Sequence, residues 1–331
     1  MFGPLHKVAK LIGPGARGHI LIIHQPPPSL YYPQQKTATS KQKTLIMLVI
    51  IGPTASGKTR LAVQLASQHN GEIISADSRQ VYRGMDIGTG KDLAEYIVDG
   101  QTILYHLIDI VDAGEEYNVF RYQQDFDRAV QDVLSRGKTP IVCGGSGMYI
   151  QAALRTTSMP AVPPNVDLRA ELDLLTDSAL QRRFAQEPSA YSPLADTSTR
   201  KRLVRAIEIG THINQHPDAR PAPRPTLPPY QVIGLDPPVA IRRERISSRL
   251  RNRLKSGLID EVQGLLDSGI PSEKLIFYGL EYKFVTKYLQ GQLTYPELVN
   301  QLESAIHQFA KRQMTFFRKM EREGMRVEWR P

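Results

Sequence analysis

The chain has 331 residues, of which 41% are hydrophobic, and its formal net charge at pH 7 is +9. This length and apolar content suffice for a substantial hydrophobic core and are typical of about two domains. The single cysteine excludes a disulfide-bonded framework and favours a reducing cytoplasm, and the lack of any run near ~18 apolar residues predicts no membrane span.

The positive charge is unevenly distributed along the chain. Residues 1–46 contain six basic residues and no acid, which leaves a net charge of +3 (9 − 6) for residues 47–331. Residues 1–44 are rich in proline and glycine and lack a helical or strand period, so we expect a disordered, dispensable tail there. Farther on, basic residues cluster in three stretches, which favours a polyanionic partner such as nucleic acid: residues 200–205, 242–255 and 311–319.

A phosphate-binding motif follows the first predicted strand. The apolar run 45–51 predicts a buried strand, residues 60–69 predict a helix, and the residues between them match G-x-x-x-x-G-K-[ST]. Glycine lets such a loop turn tightly and point its N–H groups inward, where the helix N-terminus adds its dipole. The lysine would contact a di- or triphosphate and the threonine hydroxyl would bind Mg²⁺. The motif comprises Gly52, Pro53, Thr54, Ala55, Ser56, Gly57, Lys58 and Thr59.

Strands and helices alternate after this loop. The apolar patterns predict strands at 72–76, 102–110 and 139–143, and helices at 118–136 and 148–154. This alternation is typical of a parallel sheet flanked by helices on both faces, so we expect a P-loop NTPase-like α/β fold whose first part spans residues 45–154.

The composition changes after residue 154. Proline-rich linkers at 158–164 and 216–229 enclose a stretch that predicts short helices, so we expect a small helical module inserted at 155–229. Residues 230–235 are strand-like and 239–320 are mostly helical. We therefore expect residues 230–331 to return to the core and to end in a helical C-terminal region.

Asp77 follows the second predicted strand, at the sheet edge where the phosphate loop also lies. An Asp after a strand most often caps a turn. A carboxylate beside a bound phosphate is electrostatically costly, however, unless it binds Mg²⁺ or accepts a proton. The fourth predicted strand ends in Cys143-Gly144-Gly145, where a nucleotide hydrolase usually has a metal-binding Asp, so the sequence argues against ATP hydrolysis.

Six motifs occur in one order along the chain, at residues 52–59, 74–78, 82–89, 144–149, 202–208 and 308–313. Together they resemble the tRNA dimethylallyltransferases, also called tRNA isopentenyltransferases. The resemblance extends from about residue 45 to the C-terminus. It implies a monomeric, cytoplasmic, Mg²⁺-dependent enzyme that prenylates N6 of the adenosine 3′-adjacent to the anticodon, with dimethylallyl diphosphate as donor. The adenosine would leave its stack in the anticodon stem-loop and enter a channel, the usual solution for chemistry on a base.

The resemblance also implies roles for individual residues. Lys58, Thr59 and the loop amides would stabilise the leaving diphosphate. Arg245 and Arg249, four apart on one helix face, could reach the diphosphate or the RNA backbone. Asp77 would accept or direct the N6 proton. Contacts to tRNA are implied for Asp77, Ser78, Arg79, Gln80, Ser146, Arg169, Arg202, Gln308, Lys311, Arg312 and Gln313.

The chain departs from the family pattern at three places. Ser146 replaces a threonine, residues 197–201 lack an asparagine that is often found there, and Gly279-Leu280-Glu281 replaces Gly-Tyr-[Lys/Arg]. Glu281 would be an acid at a position expected to contact RNA. It would either pair with a nearby arginine or indicate a subfamily that binds RNA differently.

Three alternative functions remain at this point. A relative could prenylate free adenine nucleotides, although such a substrate needs neither the inserted module nor the basic helix near residue 311. A small-molecule or nucleotide kinase would need ATP turnover and a base-binding lid. A non-catalytic RNA-binding protein could keep the phosphate loop without using it.

Overall fold

The computed structural model describes residues 45–331, so the disordered tail expected at 1–44 lies outside the described residues. Within the described part, no helix has the length and apolar character that crossing a membrane requires.

The first half of the described chain alternates strands with helices. Its elements are β1 Met47–Ile51, α1 Lys58–Gln68, β2 Gly71–Ser75, β3 Tyr82–Arg83, β4 Ile97–Val98, β5 Gln101–Thr102, β6 Tyr105–His106, β7 Val111–Asp112, α2 Val119–Ser135, β8 Thr139–Gly144 and α3 Gly147–Leu154.

The second half is mainly helical. Its elements are α4 Val166–Asp173, α5 Asp177–Gln186, α6 Arg200–Gln215, β9 Tyr230–Leu235, α7 Val239–Lys255, α8 Leu258–Asp267, α9 Ser272–Tyr278, α10 Leu280–Leu289, α11 Tyr295–Arg322 and β10 Val327–Arg330. Short 3₁₀ turns lie at Leu93–Tyr96, Ser192–Leu194 and Pro217–Ala219.

Six strands form one parallel sheet in the order β10-β9-β1-β8-β2-β6. The predicted parallel α/β fold is confirmed, and β1, β2, β8 and β9 fall where the sequence predicted strands. Because the sheet is parallel, the carboxyl ends of β1, β8 and β2 lie side by side at one edge.

The strand predicted at 102–110 is wrong over most of its length. Only Tyr105–His106 joins the sheet, as the edge strand β6. Leu107 and Asp109 adopt positive φ angles of 62° and 55°, which turn the chain out of the sheet. Strand β10, which the sequence did not predict, closes the opposite edge beside β9.

Side chains of the sheet alternate between two cores. Val49 and Ile51 of β1 face a core that includes Phe126 of α2, Ile150 of α3 and Phe317 of α11. The residue between them in β1 and the corresponding residues of the neighbouring strands face a second core, which α1 covers. Helices α7 to α11 pack together around a third core with the segment that follows β2, and this packing places them over the carboxyl edge of the sheet.

Helices α4 to α6 build two small clusters of their own, formed by residues between 162 and 219. The chain segments that lead into and out of this stretch run antiparallel to each other. Ser158 donates its N–H to Ala222 O at 2.8 Å, and Arg224 donates its N–H to Thr156 O at 3.0 Å. These two hydrogen-bonded segments join the helical stretch to the sheet.

Candidate active site

A cavity of about 620 Å³ opens at the carboxyl ends of β1, β8 and β2. The segments that follow these strands each contribute to its wall, and α7, α9, α10 and α11 supply the facing side. A volume of this size is in the range of sites for small molecules and cofactors. The parallel topology thus brings together residues that are far apart in the sequence.

The phosphate loop has the backbone that its sequence predicted. Gly57 adopts φ +90° immediately before α1 begins at Lys58, a conformation that favours glycine. A Cβ on Gly52 would lie 2.9 Å from Leu235 O, so the start of the loop also needs glycine. The N-terminus of α1 therefore carries free N–H groups and a positive dipole end beside the cavity.

Lys58 lines the cavity, and its Nζ lies 3.4 Å from Pro53 O. Burial lowers the pKa of its ammonium group, although Cys143 and Asp77 act in the opposite direction. A partly buried ammonium beside the loop is well suited to an anionic ligand. Burial also raises the pKa of the Cys143 thiol to about 12, so this thiol stays protonated at neutral pH.

Asp77 also lines the cavity and is half-buried. Its Oδ1 accepts the N–H of Arg79 at 2.9 Å, which is the turn-capping arrangement expected for an Asp after a strand. Its Oδ2 accepts no hydrogen bond from the described part of the chain, so one carboxylate oxygen is available to a ligand. Asp77 can therefore cap the turn with one oxygen and contact a ligand with the other.

Two arginines of α7 reach the cavity, and they are not the pair that the sequence indicated. Arg249 and Arg253 line it, whereas Arg245 is exposed and lies outside the lining. Arg245 lies outside the lining because the cavity lies beside the C-terminal half of α7, and the diphosphate contact predicted for it stays a prediction. Arg249 pairs with Asp92, and Nη1 of Arg253 lies 3.4 Å from Oε1 of Glu281.

Glu281 is the acid of the departing Gly279-Leu280-Glu281 segment, and it pairs with an arginine, as one of the two sequence hypotheses proposed. Burial raises the pKa of Glu281, and the Arg253 guanidinium acts against this effect. Burial likewise lowers the pKa of Arg253. The sequence missed Arg253, although its position four residues after Arg249 places it on the same helix face.

Two of the polar residues that were predicted to bind tRNA have hydrogen-bond partners within the protein. Gln80 accepts a hydrogen bond from Ser75 Oγ at 3.0 Å and donates one to Gly90 O at 3.1 Å. Ser146 Oγ accepts the N–H of Ser78 at 3.0 Å and donates to its hydroxyl. Both residues line the cavity, but their polar atoms are used within the protein.

Aromatic and basic side chains surround the cavity mouth. The guanidinium of Arg79 lies 5.2 Å from the ring centroid of Phe277, whose side chain is 71% exposed. The guanidinium of Arg312 lies 5.9 Å from the centroid of Phe309, which is also exposed. Arg202 lines the same cavity and pairs with Asp196 at 3.0 Å. Exposed rings combined with arginine are typical of surfaces that bind single-stranded nucleic acid.

The remaining predicted tRNA residues fall into two groups. Gln308 and Lys311 are exposed on α11, outside the cavity lining. Arg169 forms a bidentate salt bridge with the buried Glu208, with both hydrogen bonds at 2.9 Å. Gln313 is buried, and both the oxygen and the nitrogen of its side-chain amide are hydrogen-bonded. Internal partners therefore occupy polar groups of Arg169 and Gln313, and the tRNA contacts predicted for these two residues stay predictions.

No group of three or more His, Cys, Asp or Glu side chains in residues 45–331 could hold a metal ion by itself. Thr59, which the sequence predicted to bind Mg²⁺, nevertheless lines the cavity. Mg²⁺ is commonly held by one or two protein oxygens together with substrate phosphates and water. The Thr59 hydroxyl fits a magnesium ion that arrives with a diphosphate.

Comparison with known proteins gives one consistent result. A family model described as IPP transferase matches residues 80–320. A tRNA dimethylallyltransferase of Porphyromonas gingivalis is 54% identical over 288 residues, which are 86% of this chain and 93% of the relative. A tRNA dimethylallyltransferase of Geotalea uraniireducens is 51% identical over 284 residues, covering 86% of this chain and 91% of the relative.

Solved structures agree with these relatives. The full-length tRNA isopentenylpyrophosphate transferase from Bacillus halodurans aligns with a TM-score of 0.60 at 31% identity, covering 86% of this chain and 89% of that chain. A eukaryotic dimethylallyltransferase acting on tRNA has the same fold, with a TM-score of 0.67 at 22% identity and coverage of 86% and 74%. The chain belongs to the IPP transferase family.

Proposed function

We propose that the protein transfers the dimethylallyl group of dimethylallyl diphosphate to N6 of the adenosine 3′-adjacent to the anticodon in tRNA. One observation carries the proposal: a phosphate loop and an Asp with a free carboxylate oxygen line one cavity whose mouth is aromatic and basic. Family membership and the names of the relatives support the same activity.

The diphosphate of the donor binds at the N-terminus of α1. Lys58, the free amides of the loop and Arg249 with Arg253 provide positive charge where the leaving group becomes more negative. Fixed donors in a partly buried site stabilise such developing charge more strongly than water does. When bound, Mg²⁺ would be held by Thr59 and would withdraw negative charge from the diphosphate oxygens.

The transfer breaks the bond between C1 of the dimethylallyl group and a diphosphate oxygen, and it forms the bond between C1 and N6 of adenine. The electron pair of the broken bond leaves with the diphosphate. N6 loses one proton, which Asp77 accepts or directs through its free oxygen. An aromatic amine is a weak nucleophile, so a positioned acceptor for this proton is worth typically 10²- to 10⁴-fold in rate.

The RNA substrate approaches from the mouth of the cavity. The target adenosine has to leave its stack to reach Asp77, since the carboxylate lies inside the cavity. The cavity volume of about 620 Å³ is large enough for a purine and a five-carbon prenyl group together. Exposed Lys311 on α11 would contact phosphates of the anticodon stem, and the rings at the mouth would contact bases. In this proposal the enzyme acts as a monomer in the cytoplasm.

Mass spectrometry of tRNA nucleosides tests the proposal. Purified protein is incubated with dimethylallyl diphosphate, Mg²⁺ and unmodified tRNA, and a parallel reaction contains AMP in place of tRNA. We expect N6-dimethylallyladenosine in tRNA only. Prenylated AMP without prenylated tRNA would instead indicate a free-nucleotide prenyltransferase, and phosphate transfer from labelled ATP would indicate a kinase.

A further inference from the structure

Two arginines and two acids form a cluster on one wall of the cavity. Arg249 pairs with Asp92, and Nη1 of Arg253 lies 3.4 Å from Oε1 of Glu281. The four residues come from three parts of the chain: α7, the segment after β3, and the start of α10. In the protein alone, the two positive charges are therefore matched by two negative charges.

The two guanidinium groups, called the arginine pair below, meet beside Gly90. A Cβ at this position would overlap Nη2 of Arg253 and would lie 2.5 Å from Nη2 of Arg249. Two like charges at such close range repel each other, and the repulsion is stronger where water is excluded. Negative charge beside the pair offsets this repulsion, and either the acids or a bound diphosphate can supply it.

The two acids of the cluster differ in their exposure to water. The side chain of Asp92 is 42% exposed, so hydration stabilises its charge. The side chain of Glu281 is only 18% exposed. Burial raises the pKa of Glu281, and the charges of Arg253 and Arg249 act against this effect. Glu281 is thus the acid whose ionisation depends on the arginine pair.

Other titratable groups lie around Glu281. Asp77 lines the same cavity, and its charge favours the neutral form of Glu281. On α10, Tyr282 donates its hydroxyl to Glu261 of α8 at 2.7 Å, and Lys283 lines the cavity. The acids on this side disfavour a further negative charge, and the arginine pair stabilises it.

We propose that Glu281 balances the charge of the arginine pair in the protein alone and takes up a proton when a diphosphate binds to that pair. The inference rests on the proposed function, since it takes diphosphate as the anion in the cavity. Arg249 and Arg253 also lower the pKa of Lys58, so they act on the space beside the phosphate loop. Once phosphate oxygens pair with the guanidinium groups, the Glu281 carboxylate lies beside new negative charge, and a proton from solvent neutralises it.

Isothermal titration calorimetry counts this proton without any turnover. The full-length protein is titrated with inorganic diphosphate and Mg²⁺ near neutral pH, in buffers that differ in ionisation enthalpy. The slope of the measured heat against that enthalpy gives the number of protons taken up. We expect the wild type to take up about 0.5 to 1 proton more per diphosphate than Glu281→Gln, which keeps the side-chain size but cannot ionise. Protonation of the diphosphate itself is common to both proteins and cancels in the difference.

The affinities distinguish charge balance from a purely positioning role. Glu281→Gln resembles the protonated form, so it should bind diphosphate about 3- to 10-fold more tightly than the wild type near neutral pH. This advantage should disappear at lower pH, where the wild-type carboxyl is protonated before binding. If Glu281 only held Arg253 in place, the substitution would weaken binding instead. Glu273→Gln, which removes an exposed acid of α9 outside the cavity lining, is the control and should behave as the wild type.

Infrared difference spectra of the wild type give a second readout, in which diphosphate should produce the C=O stretching band of a protonated carboxyl. Absence of this band, equal proton uptake in the wild type and Glu281→Gln, or weaker binding by that variant would each overturn the inference. If the wild type does not bind diphosphate, the proposed function fails as well. If it binds diphosphate and prenylates tRNA but Glu281 takes up no proton, only the role of Glu281 is wrong.

Discussion

At the scale of single residues, the site depends on how Asp77 and Lys58 share one partly buried space. Asp77 uses one carboxylate oxygen to cap the Arg79 N–H, which fixes the orientation of the carboxylate, and it leaves the other oxygen free. Burial lowers the pKa of the Lys58 ammonium group, and Asp77 acts in the opposite direction.

Substitution of Asp77 separates its two tasks. Asp77→Asn keeps an oxygen that can cap the turn but cannot accept a proton, and Asp77→Ala loses both. We expect each variant to lower the turnover number of dimethylallyl transfer by about 10²-fold or more, with little loss of tRNA affinity. Single-turnover kinetics and RNA binding measured on the same samples check this. Near-normal turnover in Asp77→Asn would restrict Asp77 to a structural role.

The lowered pKa of Lys58 makes donor binding sensitive to alkaline pH. The charged ammonium binds the diphosphate, so affinity should fall as pH rises through a pKa that lies below the ordinary value of 10.5. Calorimetry of inorganic diphosphate between about pH 7 and pH 10 measures this loss. In Lys58→Ala the affinity should be lower throughout and should retain only the pH dependence of the diphosphate itself. Parallel curves for the two proteins would contradict the assignment.

At the scale of elements, the attachment of the α4 to α6 helices depends on Arg224. This residue lies in the linker 216–229, which leads from α6 back to the sheet. Its side chain is 3% exposed and pairs with Asp127 of α2, with Nε to Oδ2 at 3.0 Å. Nη1 of Arg224 also donates to the carbonyl oxygens of Ala152, Ala153 and Arg155 at the end of α3. One guanidinium thereby provides hydrogen-bond donors to the carbonyl oxygens at the end of α3 and fixes the linker to the sheet layer.

Loss of Arg224 should destabilise the fold. Arg224→Ala leaves a largely buried carboxylate and several carbonyl oxygens without their donor, so we expect the free energy of unfolding to fall by about 3 kcal/mol. Urea denaturation followed by circular dichroism measures the change. Arg220→Ala, which alters an exposed arginine of the same linker, should be neutral. Equal effects of the two substitutions would show that the buried contacts contribute little.

At the scale of the whole molecule, Asp196 connects the α4 to α6 helices to the C-terminal helix. Its carboxylate pairs with Arg202 of α6 at 3.0 Å and with Lys319 of α11 at 3.3 Å. Burial alone would raise the pKa of Asp196, but the hydrogen bonds from Ser198 and Lys319 and the charge of Arg202 lower it to about 2. The connection is adjacent to Arg202, which lines the cavity.

The Asp196 connection should weaken in acid. The carboxyl has a lower pKa in the folded than in the unfolded state, so its stabilisation is complete above the unfolded value of 3.8 and is lost as pH falls through about 2. Since the side chain is more than one-third exposed, we expect Asp196→Asn to cost no more than about 1 kcal/mol at neutral pH. Urea denaturation of both proteins near pH 6 and near pH 2.5 should give a difference that shrinks by more than half. A difference independent of pH would rule out this ion pair as the cause.

The amino-acid sequence by itself determined the phosphate loop, the position of Asp77 and most strands of the sheet. These features depend on short-range rules: where glycine must turn, where apolar residues alternate, and which residue directly follows a strand. The resemblance in six motifs also predicted the family that the comparisons confirmed. Predicted contacts of individual residues with tRNA and Mg²⁺ stay predictions.

Only the tertiary structure decided which side chains of the long helices reach the cavity. Helical spacing groups Arg245, Arg249 and Arg253 on one face of α7, but the packing of α7 against α8 and α11 determines that the last two line the cavity. The same holds for Gln313 and for the pair of Arg253 with Glu281, whose partners are 259 and 28 residues away in the chain. Contacts over such separations depend on how whole elements pack, and no local pattern encodes that arrangement.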